Sequence, residues 1–144
     1  MMLGSPAART VTGMGWPTQD RVGVLAVDDQ SIFLDVARDV VAATPGFRWV
    51  GGATSGEDAL DAVDALEPDL VLMDVRMPEM DGIETAHRIC KSHADVVVVL
   101  VSIEESPAIT PAIEASGAAG LVRKQEFGPA MLRRLWLAYK NTDG

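Results

Sequence analysis

Three carboxylates, one hydroxyl and one amine stand at the ends of apolar runs in this sequence. They are Asp28, Asp29, Asp74, Ser102 and Lys124. Carboxylates held close together repel one another, and a hard divalent cation such as Mg2+ relieves that repulsion. A lysine and a hydroxyl can bind the oxygens of a phosphoryl group, and an aspartate can attack it to form an acyl phosphate. These residue types indicate phosphoryl transfer to Asp74 if the fold brings them together.

Five apolar runs predict the strands that would position these side chains. They cover residues 22–27, 47–53, 70–73, 96–101 and 117–122. The run 70–73 has no polar break, which is typical of a strand buried on both faces of a parallel sheet. It delivers Asp74 at its carboxyl end, while Pro78 and Asp81 with Gly82 predict a loop after it.

Helical spacing of apolar residues predicts a helix after each strand. The first helix carries Ile32 and Val36 on its apolar face and ends near residue 43. Ser55 is a suitable N-cap for the second helix, and the third begins after Gly82. The fourth, over 106–116, contains Pro111 and should be short, kinked or begin late. The last helix is predicted over 127–139.

Alternation of strand and helix predicts one α/β domain, a doubly wound five-stranded parallel sheet with five helices. In the flavodoxin-like strand order 2-1-3-4-5 the first and third strands are neighbours. Asp28, Asp29 and Asp74 would then converge at one end of the sheet. Ser102 and Lys124 would close the same end from the fourth and fifth strands.

Composition narrows the class of protein. A chain of 144 residues with 48% hydrophobic content is expected to form one globular domain. A single cysteine, Cys90, permits no internal disulfide and favours a reducing, cytoplasmic location. No apolar run is long enough for a membrane span, and the net charge of -9 argues against direct nucleic-acid binding. Residues 1–20 lack periodicity and are expected to form a flexible tail.

Four segments carry a resemblance to a known family. They are Val27-Asp28-Asp29, the run from Pro68 to Gly82, Ser102, and the run from Gly117 to Lys124. Together they resemble the receiver domain of bacterial two-component response regulators. The segments 42–51 and 55–60 are most similar to receivers that precede a LuxR-type helix-turn-helix domain. On this resemblance residues 21–141 form the receiver, and residues 142–144 end the chain without an output domain.

The resemblance implies a function in signalling and, through an output domain or partner, in transcription regulation. Asp74 would accept phosphate from the phosphohistidine of a sensor histidine kinase, and Ser102 and Lys124 would contact the phosphoryl oxygens. The Mg2+ ligands it implies are Asp28, largely through water, Asp29, Asp74 and the backbone carbonyl of Arg76. Such a domain is not an enzyme beyond self-catalysed phosphotransfer and slow autodephosphorylation. A homodimer is possible.

The sequence departs from the family pattern at two positions. Leu121 stands where the family usually has Tyr or Phe, and Gln125 follows the lysine where it usually has Pro. We expect a trans Lys124-Gln125 bond, because a cis bond before a residue other than proline costs about 2.5 to 4 kcal/mol. We also hypothesise that Arg76 and Glu104 pair across the site and hinder the water that hydrolyses the acyl phosphate.

Other classes of protein share parts of this pattern. A pseudo-receiver would use the same fold for binding that does not depend on phosphorylation. Leu121, Gln125 and Pro111 favour it, whereas the intact set Asp28, Asp29, Asp74, Ser102 and Lys124 opposes it. An aspartyl-phosphate phosphatase needs an acid two residues after its nucleophile, where this chain has Arg76. A flavodoxin-like cofactor site would place phosphate against Asp28 and Asp29, which repel it. A stand-alone receiver and a piece of a longer regulator both agree with the sequence.

Overall fold

Strands and helices alternate along the chain. The computed structural model describes residues 21–76, 82–103 and 110–140. Its strands are β1 (Val22–Val27), β2 (Phe47–Ala53), β3 (Leu70–Asp74), β4 (Val97–Ser102) and β5 (Gly120–Arg123). Its helices are α1 (Ser31–Ala42), α2 (Gly56–Leu66), α3 (Gly82–Ser92), α4 (Pro111–Ser116) and α5 (Pro129–Tyr139). The segments 1–20 and 142–144 lie outside the described residues.

The strands form one parallel sheet in the order β2-β1-β3-β4-β5. This confirms the predicted fold class. The order places β3 at the centre, with β1 on one side and β4 on the other. The carboxyl ends of these three strands, and that of β5, therefore meet at one edge of the sheet.

The core lies in two layers, one on each face of the sheet. Helices α2, α3 and α4 cover one face, and α1 and α5 cover the other. Side chains of β3 alternate between the layers, with Val71 and Met73 in the first and Leu70 and Leu72 in the second. All four are fully buried, which explains why this strand reads as an unbroken apolar run.

Local capping residues fix where two of the helices begin. The Ser55 side chain accepts a hydrogen bond of 3.1 Å from the Asp58 N–H, so the predicted N-cap of α2 is confirmed. Helix α4 begins at Pro111, and the Thr110 hydroxyl accepts from the Ile113 N–H at 3.2 Å. Proline suits the first position of a helix because its missing N–H has no partner there. The late start of α4 was one of the predicted outcomes.

Several element boundaries and burial predictions were wrong. Strand β4 begins at Val97 rather than residue 96, β5 begins at Gly120 rather than residue 117, and α5 at Pro129 rather than residue 127. A 3-10 turn, Lys124–Glu126, separates β5 from α5. On α1, Ile32 and Val36 are 76% and 44% exposed. Only Ala37 and Val41 of this helix are buried, so the buried stripe is narrower than the apolar face.

Within the described parts of the chain, no helix combines the length and apolar character required to cross a membrane.

Candidate functional site

Side chains from four strand ends share one cleft. Asp74 ends β3 and pairs in register with Val101 of β4, while Ser102 pairs with Arg123 of β5. The cleft has a volume of about 350 Å3. Its lining residues are Asp29, Gln30, Asp74, Val75, Arg76, Ser102, Ile103 and Lys124. Each predicted site residue either lines this cleft or, in the case of Asp28, contacts a residue that does.

The three carboxylates differ in burial. Asp28 is completely buried and Asp74 is 8% exposed, whereas Asp29 is exposed. One oxygen from each lies within 4.8 Å of the others. The Gln30 N–H donates to Asp28 Oδ1 at 2.8 Å, which fixes the orientation of the buried carboxylate. The cluster therefore combines a buried inner acid, Asp28, and a solvent-facing outer acid, Asp29, both close to Asp74.

Lys124 neutralises part of this charge. Its Nζ lies 2.5 Å from Asp28 Oδ2 and 3.9 Å from Asp74 Oδ2. The lysine side chain is only 14% exposed. From the sequence we expected Lys124 to act at Asp74, but its ammonium group lies closer to Asp28. An ammonium group between the two carboxylates can move a short distance to bind a phosphoryl oxygen on Asp74.

The pKa of Asp74 is raised from 3.8 to about 6. Burial is the main cause, because it disfavours the charged carboxylate, and the charge of Asp28 adds to it. The charge of Lys124 and the hydrogen bond from the Arg76 N–H lower this pKa, and the charge of Asp29 raises it slightly. Asp74 is therefore mostly ionised at neutral pH but held at a free-energy cost, which a cation or a phosphoryl group would relieve.

Ser102 and Arg76 flank the central carboxylate. Ser102 is 7% exposed at the end of β4 and lines the cleft. The Arg76 N–H donates to Asp74 Oδ1 at 3.4 Å, which holds the chain after β3 close to the carboxylate. The backbone carbonyl of Arg76 as a cation ligand remains a prediction.

The donor set suits Mg2+. Oxygen atoms from one or two carboxylates, together with water and substrate phosphate, are the ligands that this cation prefers. The Asp29 carboxylate is exposed and one of its oxygens lies within 4.8 Å of one from Asp74, so a hydrated cation can reach it. Asp28 Oδ2 is instead buried in an ion pair with the Lys124 ammonium, so Asp28 would act on a cation less directly, through water.

Two contacts at the cleft were not predicted. Phe33, a residue of α1, places its ring 4.9 Å from Lys124 Nζ. The Gln125 side-chain amide donates to the Ile103 carbonyl at 3.0 Å. No local pattern in the sequence marks either contact, because each joins residues that are far apart along the chain.

Two predictions concern residues near the cleft that the structure leaves undescribed. The loop with Pro78 and Asp81 falls in 77–81, and Glu104 falls in 104–109. The proposed pairing of Glu104 with Arg76 therefore stays a prediction. The expected trans Lys124-Gln125 bond is confirmed, since the described residues contain no cis peptide bond.

Comparison with known proteins decides the family. The family model for the response regulator receiver domain matches residues 24–135 of this chain. The chain belongs to this family. Response regulator GacA of Pseudomonas viridiflava is 40% identical to the receiver over 119 residues, which are 82% of this chain and 55% of that relative. The chain thus spans about half the length of the curated relatives it matches.

Solved receiver structures share the fold. The signal receiver domain of the response regulator NarL from Mycobacterium tuberculosis is 29% identical, with a TM-score of 0.76 over 85% of this chain and 98% of that one. The response regulator domain of Thermotoga maritima CheB is 30% identical, with a TM-score of 0.72 over 83% of this chain and 96% of that one. The resemblance expected from the sequence motifs is therefore confirmed, and the cleft lies in a receiver of two-component systems.

Proposed function

We propose that this receiver is a phosphoacceptor switch and that Asp74 is the residue phosphorylated. The observation that carries the proposal is the position of Asp74, a buried carboxylate between Asp28, Asp29 and Lys124 at the mouth of an open cleft. Its partner would be the phosphohistidine of a sensor histidine kinase. The receiver itself would span residues 21–141, preceded by a tail over 1–20.

The transfer step requires an ionised Asp74. One Asp74 oxygen attacks the phosphorus, the bond from phosphorus to the histidine nitrogen breaks, and its electron pair remains on that nitrogen. The imidazole leaves neutral because a proton is held on its other ring nitrogen or is taken up by the nitrogen that held the phosphorus. With a pKa of about 6, Asp74 is mostly a carboxylate at neutral pH. Lys124 and the Ser102 hydroxyl donate to the phosphoryl oxygens, where charge is greatest during transfer.

Mg2+ would be held by Asp29, Asp74 and the Arg76 carbonyl, with Asp28 acting largely through water. When bound, it neutralises charge on the phosphoryl oxygens and on the carboxylates. Asp28 keeps its orientation through the Gln30 N–H, and Asp29 remains accessible to solvent at the rim. The chain's own contribution is therefore to hold three acids near one another before the donor arrives.

Phosphorylation would control an output domain or partner by shifting the populations of two conformations of the receiver. In phosphorylated Asp74 a phosphoryl group with a charge of about -1.5 to -2 replaces the single charge of the carboxylate, and Ser102 would move toward that group. Leu121 packs against the core on the α2, α3 and α4 side of the sheet, but it has no ring to follow that movement. The shift would pass to α4, β5 and α5 and from there to an output domain or partner, for example another copy of this chain.

A small phosphodonor tests the proposal. The receiver is incubated with phosphoramidate and Mg2+, and intact mass is followed for the parent, for Asp74→Asn and for Asp61→Asn, which removes one charge from an exposed site on α2. We expect one phosphoryl group on the parent and on Asp61→Asn, and none on Asp74→Asn. A parent that gains no phosphate contradicts the proposal and favours a phosphorylation-independent binding module, the role that Leu121 would suit.

The remaining properties are proposed from composition. The chain would act in the cytoplasm, where a histidine kinase has its donor domain and where Cys90 stays reduced. A net charge of -9 disfavours direct contact with nucleic acid. Any effect on transcription would therefore pass through another domain or protein.

A further inference from the structure

Three side chains from opposite ends of the sequence meet beside the carboxylates. Lys124 opens the 3-10 turn after β5, and the Phe127 N–H donates to the Lys124 carbonyl at 3.1 Å. Residues three apart on such a turn lie on the same side. Lys124 and Phe127 therefore both face α1, where they meet Phe33.

The contacts among them are close and partly shielded from water. The Phe33 and Phe127 rings lie 5.9 Å apart at an interplanar angle of 52°, and Phe127 is only 9% exposed. Lys124 Nζ lies 4.9 Å from the centre of the Phe33 ring. The ammonium group thus has carboxylates on one side and an aromatic face on another.

We propose that Phe33 is a positioning residue that holds the Lys124 ammonium at the carboxylates, ready to bind the phosphoryl group. The inference rests on the proposed phosphorylation of Asp74. The negative face of an aromatic ring attracts a cation within about 6 Å, most strongly where water is excluded. Phe127 packs against the Phe33 ring and keeps it in place.

The attraction to the Phe33 ring would restrict rotation of the Lys124 side chain. A lysine has four rotatable bonds, and an ammonium free to turn into water would spend less time near Asp74. Asp28 draws the ammonium inward at 2.5 Å, and Phe33 closes the side that faces α1. A cation–π contact of about 1 kcal/mol corresponds to a rate change of roughly fivefold.

The rate of phosphorylation by phosphoramidate with Mg2+ tests the proposal in four variants. They are Phe33→Leu, Phe33→Tyr, Lys124→Gln and the double variant Phe33→Leu with Lys124→Gln. We expect Phe33→Leu to slow phosphorylation roughly three- to tenfold, because leucine keeps the apolar packing but has no ring. Phe33→Tyr should keep the parent rate. In the Lys124→Gln background, Phe33→Leu should cause no further loss.

An additive loss in the double variant would overturn the proposal, since Phe33 would then act through packing and not through the lysine. A Phe33→Leu rate equal to that of the parent would also overturn it, while leaving the proposed function intact. A parent that takes up no phosphate at all would instead refute the proposed function.

A second measurement does not depend on phosphorylation. In the unmodified protein the Phe33 ring should shift the NMR signals of the Lys124 side-chain CH2 next to Nζ upfield. Phe33→Tyr should retain the shift and Phe33→Leu should lose it, with the folded spectrum otherwise preserved. Signals that stay at the same position in Phe33→Leu would show that the ring does not hold the ammonium.

Discussion

Replacing the central carboxylate by its neutral isostere should stabilise the receiver. In Asp74→Asn the side chain keeps its shape and can still accept the Arg76 N–H, but it carries no charge. The parent must bury an ionised group beside Asp28 at neutral pH, and the raised pKa of Asp74, about 6 against 3.8, measures that cost. The variant has no such cost.

The sign and size of the effect follow from proton linkage. Folded Asp74 binds its proton more tightly than unfolded Asp74, so parent stability falls as pH rises between about 4 and 6. With these pKa values the folded state loses about 1 kcal/mol by pH 4.5 and about 3 kcal/mol by pH 7.5. The advantage of Asp74→Asn should therefore grow by about 2 kcal/mol between these two pH values.

This difference is measured by urea unfolding in the presence of EDTA at both pH values, with far-UV circular dichroism as the readout. The matched control is Asp61→Asn, which removes the same charge from an exposed position and should change stability by less than about 0.5 kcal/mol. Added Mg2+ should stabilise the parent more than Asp74→Asn, because ion binding to the folded state adds to its stability. An advantage that is absent at pH 7.5, or that does not change with pH, would refute the reasoning.

Three further substitutions test the backbone at helix ends. A Cβ added at Gly82 would lie 1.8 Å from the backbone oxygen of Asp74, so Gly82→Ala should lower the free energy of unfolding in urea by about 3 kcal/mol or more. Gly128→Ala is the control, because an added Cβ there meets no described atom within 4 Å and should change stability little. Glu67 closes α2 at φ 50°, and Glu67→Gly should raise the melting temperature through a gain of about 0.5 to 1 kcal/mol; an unchanged melting temperature would argue against strain there. Ser55→Ala removes the N-cap of α2 and should lower the free energy of unfolding by about 1 kcal/mol, measured by the same thermal melt. A loss below a few tenths of a kcal/mol would mean that water replaces the hydrogen bond of the cap.

Much of the fold could be predicted because it depends on local pattern. The bounds of β1 and β2 matched the apolar runs, and Ser55 marked the start of α2. The polar residues of the site could be predicted because each stands where a buried strand ends. Strand order then followed from rules for parallel sheets.

What could not be predicted depends on contacts between distant parts of the chain. Ile32 and Phe33 are neighbours with similar hydropathy, yet one is exposed and the other packs on Lys124. The sequence contains no local sign of which carboxylate Lys124 would approach most closely. The 3-10 turn at 124–126 also has no periodic signal, since three residues are too few to show one.

The difference in burial between β3 and β5 has a consequence for hydrogen exchange. β3 is central and fully buried, so its amides, including that of Asp74, should exchange only when the whole domain unfolds. β5 is a four-residue edge strand whose residues are all partly exposed, and it can open at lower free energy. Such an opening would leave the acceptor carboxylate in place while withdrawing Lys124, so part of the population would hold an intact nucleophile without its cationic partner.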